Sequence, residues 1–81
     1  MSRVSSITRL VQETIFASPT EAREIARAIG KPYSTLMREV NPWDPGAKLG
    51  ADTLLQVMKA TRDVRPLEYM ADELGYTICP K

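Results

Sequence analysis

Apolar residues recur at steps of three and four along most of this chain, which is the spacing of an amphipathic helix and not of a strand. Short stretches rich in proline, glycine, serine and asparagine separate five such segments. The pattern predicts an all-α fold, a bundle of five helices in one domain spanning residues 1–81. The predicted helices cover about residues 3–17, 19–29, 32 or 33 to 40, 51–61 and 65–74.

Each predicted helix carries an apolar stripe that we expect to face the core. The residues expected inward are, in chain order, Val4, Ile7, Leu10 or Val11, Thr14 and Ile15, then Ala22, Ile25, Ala26 and Ile29, then Leu36 and Val40, then Leu54, Leu55, Val57 and Met58, and finally Leu67, Met70, Ala71 and Leu74. Aliphatic side chains dominate this set, which suits packed helices better than a β-sandwich.

Local signals predict where the helices begin and end. Ser18-Pro19-Thr20-Glu21 has the form of a capping box with proline at the first helical position, and it predicts that the second helix begins at Pro19. Gly30 and Gly75 follow apolar helical stretches, and each predicts a left-handed residue that ends a helix. Asn41-Pro42 predicts the end of the third helix.

The stretch from Asn41 to Gly50 contains two prolines and two glycines, and it is therefore predicted to be a loop. Trp43 and Leu49 are its apolar members, and we expect them to pin the loop to the body of the protein. Trp43 is interpreted as a lid over the core between the third and fourth helices. The alternative is an anchor for a protein partner.

The segment Ala22 to Val40 has the organisation of a helix-turn-helix. Two short helices are joined by the tight turn Gly30-Lys31-Pro32, in which Gly30 supplies the positive φ. Ala26 is small enough for the two helices to cross closely. In such a motif the second helix, here about residues 32–40, lies in the major groove of double-stranded DNA.

The face of the third helix opposite Leu36 and Val40 is predicted to contact DNA. The predicted DNA-binding residues are Lys31, Tyr33, Ser34, Thr35 and Arg38, which offer donors for base edges and phosphates. The alternative is an ordinary helical hairpin with a solvated face. The spacing also departs from the common motif, because Glu39 stands where a second apolar residue usually follows Leu36 by three.

The absence of certain residue types excludes several kinds of catalytic and metal-binding site. The chain has one cysteine, Cys79, and no histidine, which excludes an internal disulfide, a cysteine or histidine zinc site, and Ser-His-Asp or Cys-His catalysis. No paired carboxylates have a spacing typical of acid–base chemistry. We therefore predict no catalytic residues, no metal and no cofactor. Without a membrane-spanning or signal-like apolar run, the expected location is the cytoplasm.

A net charge of +1 is small for a DNA-binding protein, although Arg23, Arg27, Lys31 and Arg38 fall within sixteen residues. The charge leaves open a second function class, a protein-interaction module such as an antirepressor or an antitoxin-like partner of another regulator. For DNA binding we expect a homo-oligomer, a dimer or tetramer, because one recognition helix contacts few base pairs. The expected contact surface is the fifth helix with the tail 76–78.

The run from Ile29 to Pro42 resembles the phage regulatory protein CII family, and the similarity continues in order through the segments 44–50, 54–58, 61–67 and 74–76. The Asn-Pro-x-Asp-Pro-Gly-x-x-Leu loop is its most specific part. The resemblance implies a DNA-binding transcriptional regulator of the lysis–lysogeny decision, with an all-α fold similar to the lambda-repressor class. It also makes RNA polymerase a candidate partner.

Overall fold

Five α-helices make up the regular structure of residues 6–81, the part of the chain that the computed structural model describes. They are α1 (Ser6–Ala17), α2 (Ala22–Ile29), α3 (Tyr33–Glu39), α4 (Ala51–Thr61) and α5 (Arg65–Glu73). No strand occurs within residues 6–81. The predicted all-α class is confirmed. Val4 and the first predicted turn of α1 lie outside the described residues.

The core lies where α1, α2 and α4 meet, and α3 closes it from the side of α2. Helix α1 packs against α2, α4 and α5, while α2 packs against α3 and α4. The buried apolar residues are Val11, Ile15, Ile25, Ala26, Leu36, Val40 and Val57, all of which were predicted to face inward. Thr14 is also buried, and its hydroxyl donates to the Leu10 carbonyl at 2.8 Å, so the polar group is satisfied inside the core.

Glycines end two helices as predicted. Gly30 has φ 75°; its N–H donates to the Arg27 carbonyl, and the Lys31 N–H donates to the Ala26 carbonyl. These two bonds form a Schellman motif, which satisfies carbonyls that the end of α2 leaves free. Gly75, with φ 85°, ends α5 through the same pair of bonds.

The predicted start of α2 at a capping box is wrong. The helix begins at Ala22, and Glu21 is its N-cap without a side-chain cap bond. Ser18 uses its hydroxyl locally instead, accepting the Thr20 N–H at 3.1 Å. Such short serine turns compete with helix capping, and here the turn holds residues 18–20 outside the helix.

The predicted inner faces of α4 and α5 need correction. On α4 the buried residues are Thr53 and Val57, with Leu54 partly buried, whereas Leu55 is exposed. On α5 Pro66 is buried, while Leu67 is 40% exposed and Leu74 is 79% exposed. Of the other helices, α1 provides the main packing surface for α5, so part of the apolar surface of α5 stays uncovered.

None of the helices in residues 6–81 is both long enough and apolar enough to span a bilayer.

Candidate nucleic-acid interface

The turn at Gly30 sets how α3 sits on the body of the protein. Ala26, in α2, is 1% exposed and belongs to the same core cluster as Leu36 of α3, and the two helices pack against each other. Leu36 and Val40 are fully buried and hold α3 by one side. The opposite side, which carries Ser34 and Arg38, therefore faces outward. Tyr33 was predicted on that side, but it precedes Leu36 by three residues and so lies near the buried side of the helix. Lys31 lies in the turn before α3.

The predicted contact residues around α3 differ in exposure. Ser34 and Arg38 are exposed, Tyr33 is at the margin of exposure, and Thr35 and Lys31 are half-buried. Met37, on the edge of the same helix, packs partly against the core. The surface thus offers hydroxyls, a phenol and cations, which are groups that bind phosphate oxygens and base edges.

Tyr33, the first residue of α3, is covered by a residue of α2. The Arg23 guanidinium lies 4.2 Å from the centroid of the Tyr33 ring, in a cation–π contact. The contact ties the beginning of α3 to α2 across the turn. It also brings a positive charge to the N-terminal end of the predicted recognition helix.

Lys31 is paired with the residue that departs from the usual motif. Its ammonium donates to Glu39 Oε2 at 3.1 Å, and both side chains are largely covered. The other carboxylate oxygen, Oε1, is buried and has no hydrogen-bond partner among residues 6–81. An ion pair therefore occupies a place where an apolar side chain usually packs, and it links the turn to the end of α3.

The loop after α3 is built from two successive turns. The Asp44 N–H donates to the Asn41 carbonyl at 3.2 Å, and the Ala47 N–H donates to the Asp44 carbonyl at 3.4 Å. Each turn begins with a side chain that accepts a backbone N–H two residues on: Asn41 from Trp43, and Asp44 from Gly46. Proline follows each of these residues, at the position where its fixed φ favours a turn.

Because these turns are held by their own hydrogen bonds, the loop does not need Trp43 as an anchor. The indole is 70% exposed, and the prediction that Trp43 forms a lid over the core is wrong. Leu49 alone provides the predicted apolar contact, since it packs against the core cluster. Trp43 instead presents an aromatic surface to solvent next to the end of α3.

Arg38 and Asp44 connect α3 to this loop. Arg38 Nε donates to Asp44 Oδ2 at 3.2 Å, while Asp44 Oδ1 accepts the Gly46 N–H at 2.9 Å. The Arg38 side chain remains 65% exposed. The pKa of Asp44 is lowered from its ordinary value of 3.8, first by the hydrogen bond from Arg38 and then by that from Gly46. Asp44 is therefore a carboxylate at neutral pH.

A cleft of about 200 Å³ lies between α3 and the loop. Thr35, Arg38 and Glu39 line it from the helix, and residues 46–48 line it from the loop. Lys48 is exposed and forms no ion pair within the described residues 6–81. The sequence analysis did not assign Asp44 or Lys48 to the site. The charged residues of the Asn-Pro-x-Asp-Pro-Gly loop, next to the predicted recognition helix, were the available signal.

Comparison with known proteins gives a match to a family model. A family model described as phage regulatory protein CII (CP76) matches residues 5–81. No curated protein and no solved structure has a significant match to this chain. The family match confirms the resemblance carried by the α3 segment and the loop, and the family is one of regulators and not of enzymes.

Proposed function

We propose that this chain, which belongs to the phage regulatory protein CII family, binds double-stranded DNA sequence-specifically as a transcriptional regulator, with α3 in the major groove. The observation that carries the proposal is the arrangement around Gly30. Gly30 adopts the left-handed conformation and Ala26 is buried. Leu36 and Val40 face the core, so the opposite face of α3 is free to enter the major groove.

The proposed roles follow from exposure and chemistry. Arg38 and Ser34 point outward from α3 and are proposed to contact base edges, with Thr35 beside them. Tyr33, under Arg23, and Lys48, across the cleft from Arg38, are proposed to contact phosphates. Lys31 remains a proposed DNA contact as well, although in the free protein its ammonium is paired with Glu39.

We further propose that the DNA-binding form is a homodimer or a higher oligomer, joined through α5 and the tail that follows it. A mostly apolar groove of about 330 Å³ is lined by Val64, Leu67, Ile78, Cys79 and Pro80, with the charged Glu68 beside them. Leu67→Glu is expected to dissociate the oligomer while helix content is kept. Leu55→Glu is the matched control, because Leu55 lies outside the groove and is 50% exposed, against 40% for Leu67. Sedimentation equilibrium that gives the same mass for both variants and the wild type contradicts this surface.

The exposed apolar groups also favour a second candidate, a protein-interaction module that binds another regulator. Trp43 and Leu74 are each more than two-thirds exposed, and the net charge is only +1. The two candidates differ in their response to salt. DNA binding that neutralises phosphates weakens steeply as salt rises, because counterions are released.

The test begins with selection of bound duplexes from a random DNA pool, followed by anisotropy titrations on the selected and a scrambled sequence. The wild type is expected to prefer the selected duplex, with affinity that falls with salt. Arg38→Ala is expected to lower the affinity for the selected duplex by roughly 5- to 150-fold, the range of about 1–3 kcal/mol for a bidentate base contact. Thr35→Ala removes a single hydroxyl and is expected to lower that affinity less than Arg38→Ala does.

Two controls separate base recognition from the effect of charge. Lys59→Ala removes one positive charge from α4, outside the proposed interface, and is expected to leave the preference unchanged. Arg38→Lys keeps the charge but loses the planar fork of donors, so that it should lose preference while non-specific binding persists. If Arg38→Ala lowers the melting temperature and leaves specific binding unchanged, α3 is a structural helix and the proposal is wrong.

A further inference from the structure

We infer that Asp44 is a positioning residue that fixes the Arg38 guanidinium for base recognition, an inference that rests on the proposed function. Arg38 lies on the last turn of α3, and its long side chain has many rotamers when it is free. In this structure the loop holds it: Arg38 Nε donates to Asp44 Oδ2 at 3.2 Å.

The carboxylate that holds Arg38 is itself fixed. Its second oxygen, Oδ1, accepts the Gly46 N–H at 2.9 Å, within the turn that Asp44 begins. A Cβ placed on Gly46 would lie 3.7 Å from Arg38 Nη2, so the guanidinium extends along the backbone of this turn. The loop backbone therefore holds the Asp44 carboxylate, and the carboxylate holds the Arg38 guanidinium in one orientation.

This contact uses the donor that base recognition does not need. Arginine has five N–H donors, and bidentate contact with guanine uses two of them. The donor to Asp44 is Nε, and the Arg38 side chain is still 65% exposed to solvent. A guanidinium that is ordered before binding loses less conformational entropy when it forms the contact with DNA. The arrangement therefore fits an arginine that is held ready to donate two hydrogen bonds to O6 and N7 of a guanine.

The charge of Asp44 makes the inference testable, because its two possible effects have opposite signs. A carboxylate at a DNA-binding surface repels phosphates, and removing it is expected to strengthen binding to any duplex. If Asp44 positions Arg38, removing it must at the same time weaken the preference for the selected duplex. A negative group in a positive surface would then lower non-specific affinity while it raises specificity.

The experiment is a double-variant cycle on the ratio of affinities for the selected and scrambled duplexes. Asp44→Asn and Asp44→Ser remove the charge but keep a side-chain oxygen that can accept the Gly46 N–H, so the turn is retained and two variants report on the same change. Each is expected to lower the ratio by about 2- to 10-fold, the entropy of ordering one long side chain, with unchanged or stronger binding to the scrambled duplex. In an Arg38→Ala background neither should change the ratio further.

The outcomes distinguish the inference from the function on which it rests. If Arg38→Ala lowers the ratio and the Asp44 variants do not, Asp44 has no positioning role. An equal loss with and without Arg38 would also overturn the inference, because the loop would then act by itself. A wild type with no preferred duplex, or an Arg38→Ala variant that keeps full preference, overturns the proposed function and the inference together. Circular dichroism and melting of each variant establish that the protein under titration is folded.

Discussion

Replacement of Gly30 tests whether the α2–α3 turn needs a left-handed residue. Gly30 has φ 75° and ψ 28°, and a Cβ built on it meets no heavy atom within 4 Å. Gly30→Ala therefore adds no clash with the rest of the protein. Any loss of stability must come from placing an L-residue in the left-handed region of the backbone.

The size of the effect follows from that single cause. The left-handed conformation costs an ordinary residue about 1–2 kcal/mol, because Cβ approaches the neighbouring carbonyl oxygen. For a domain of this size, each kcal/mol corresponds to about 4–8 °C in the melting temperature. Gly30→Ala is thus expected to lower the melting temperature by roughly 4–16 °C. Its urea m-value should stay unchanged, since the surface buried on folding is the same.

Gly30→Asn is the matched control, because asparagine visits the left-handed region more readily than alanine does. It should cost less than Gly30→Ala although its side chain is larger. Urea unfolding followed by circular dichroism gives the two free energies directly. If alanine is tolerated without loss, or if asparagine costs more than alanine, the turn does not depend on the left-handed conformation and the account of the α2–α3 geometry is wrong.

Two further predictions concern ion pairs. The pKa of Asp63 is lowered from its ordinary value of 3.8, chiefly because Arg65 donates side-chain hydrogen bonds to it. At acid pH the unfolded chain therefore binds more protons than the folded chain. The resulting stabilisation of the folded state is present above pH 3.8 and is lost as the pH falls below it. The melting temperature should accordingly fall less steeply with decreasing pH for Asp63→Asn than for the wild type. Lys31→Met is expected to cost about 1–3 kcal/mol, because Glu39 is left partly buried without its partner. Adding Glu39→Leu should recover that loss, and a double variant as unstable as Lys31→Met would contradict the assignment of the pair.

The sequence was most informative where one local cause decides the structure. The bounds predicted for α4, residues 51–61, agree with the structure, and Gly30 and Gly75 end their helices as predicted. The buried residues of α1, α2 and α3 were also predicted, since each of these helices has one clear apolar stripe. In these places backbone conformation and hydrophobic periodicity point to the same answer.

The errors lie where two local arrangements, or two helix faces, compete. Ser18 can cap a helix or close its own short turn, and nothing in four residues decides which bond forms. In α4, Leu55 looked more suitable for the core than Thr53, but packing against α1 and α2 buries the face with Thr53. Trp43 was expected to form a lid over the core because it is an apolar residue in a polar loop, whereas the hydrogen-bonded turns around it hold the loop without it.

The low net charge of the chain is reflected at the candidate interface, where several basic side chains are engaged by other residues. Three of its basic residues are held by other side chains: Arg23 stacks on Tyr33, Lys31 pairs with Glu39, and Arg38 pairs with Asp44. Two of these pairs neutralise charge that would otherwise attract any phosphate backbone, and all three restrict the rotamers of long side chains. Under the proposed function, such a surface has fewer free cations for non-specific phosphate binding and more ordered side chains for base recognition. Arg27 and Lys48 form no ion pair within residues 6–81, so the phosphate contacts of each subunit are expected to be few. That is why the proposal needs an oligomer: two ordered recognition helices on adjacent turns of DNA can supply together the affinity that one weakly charged surface lacks.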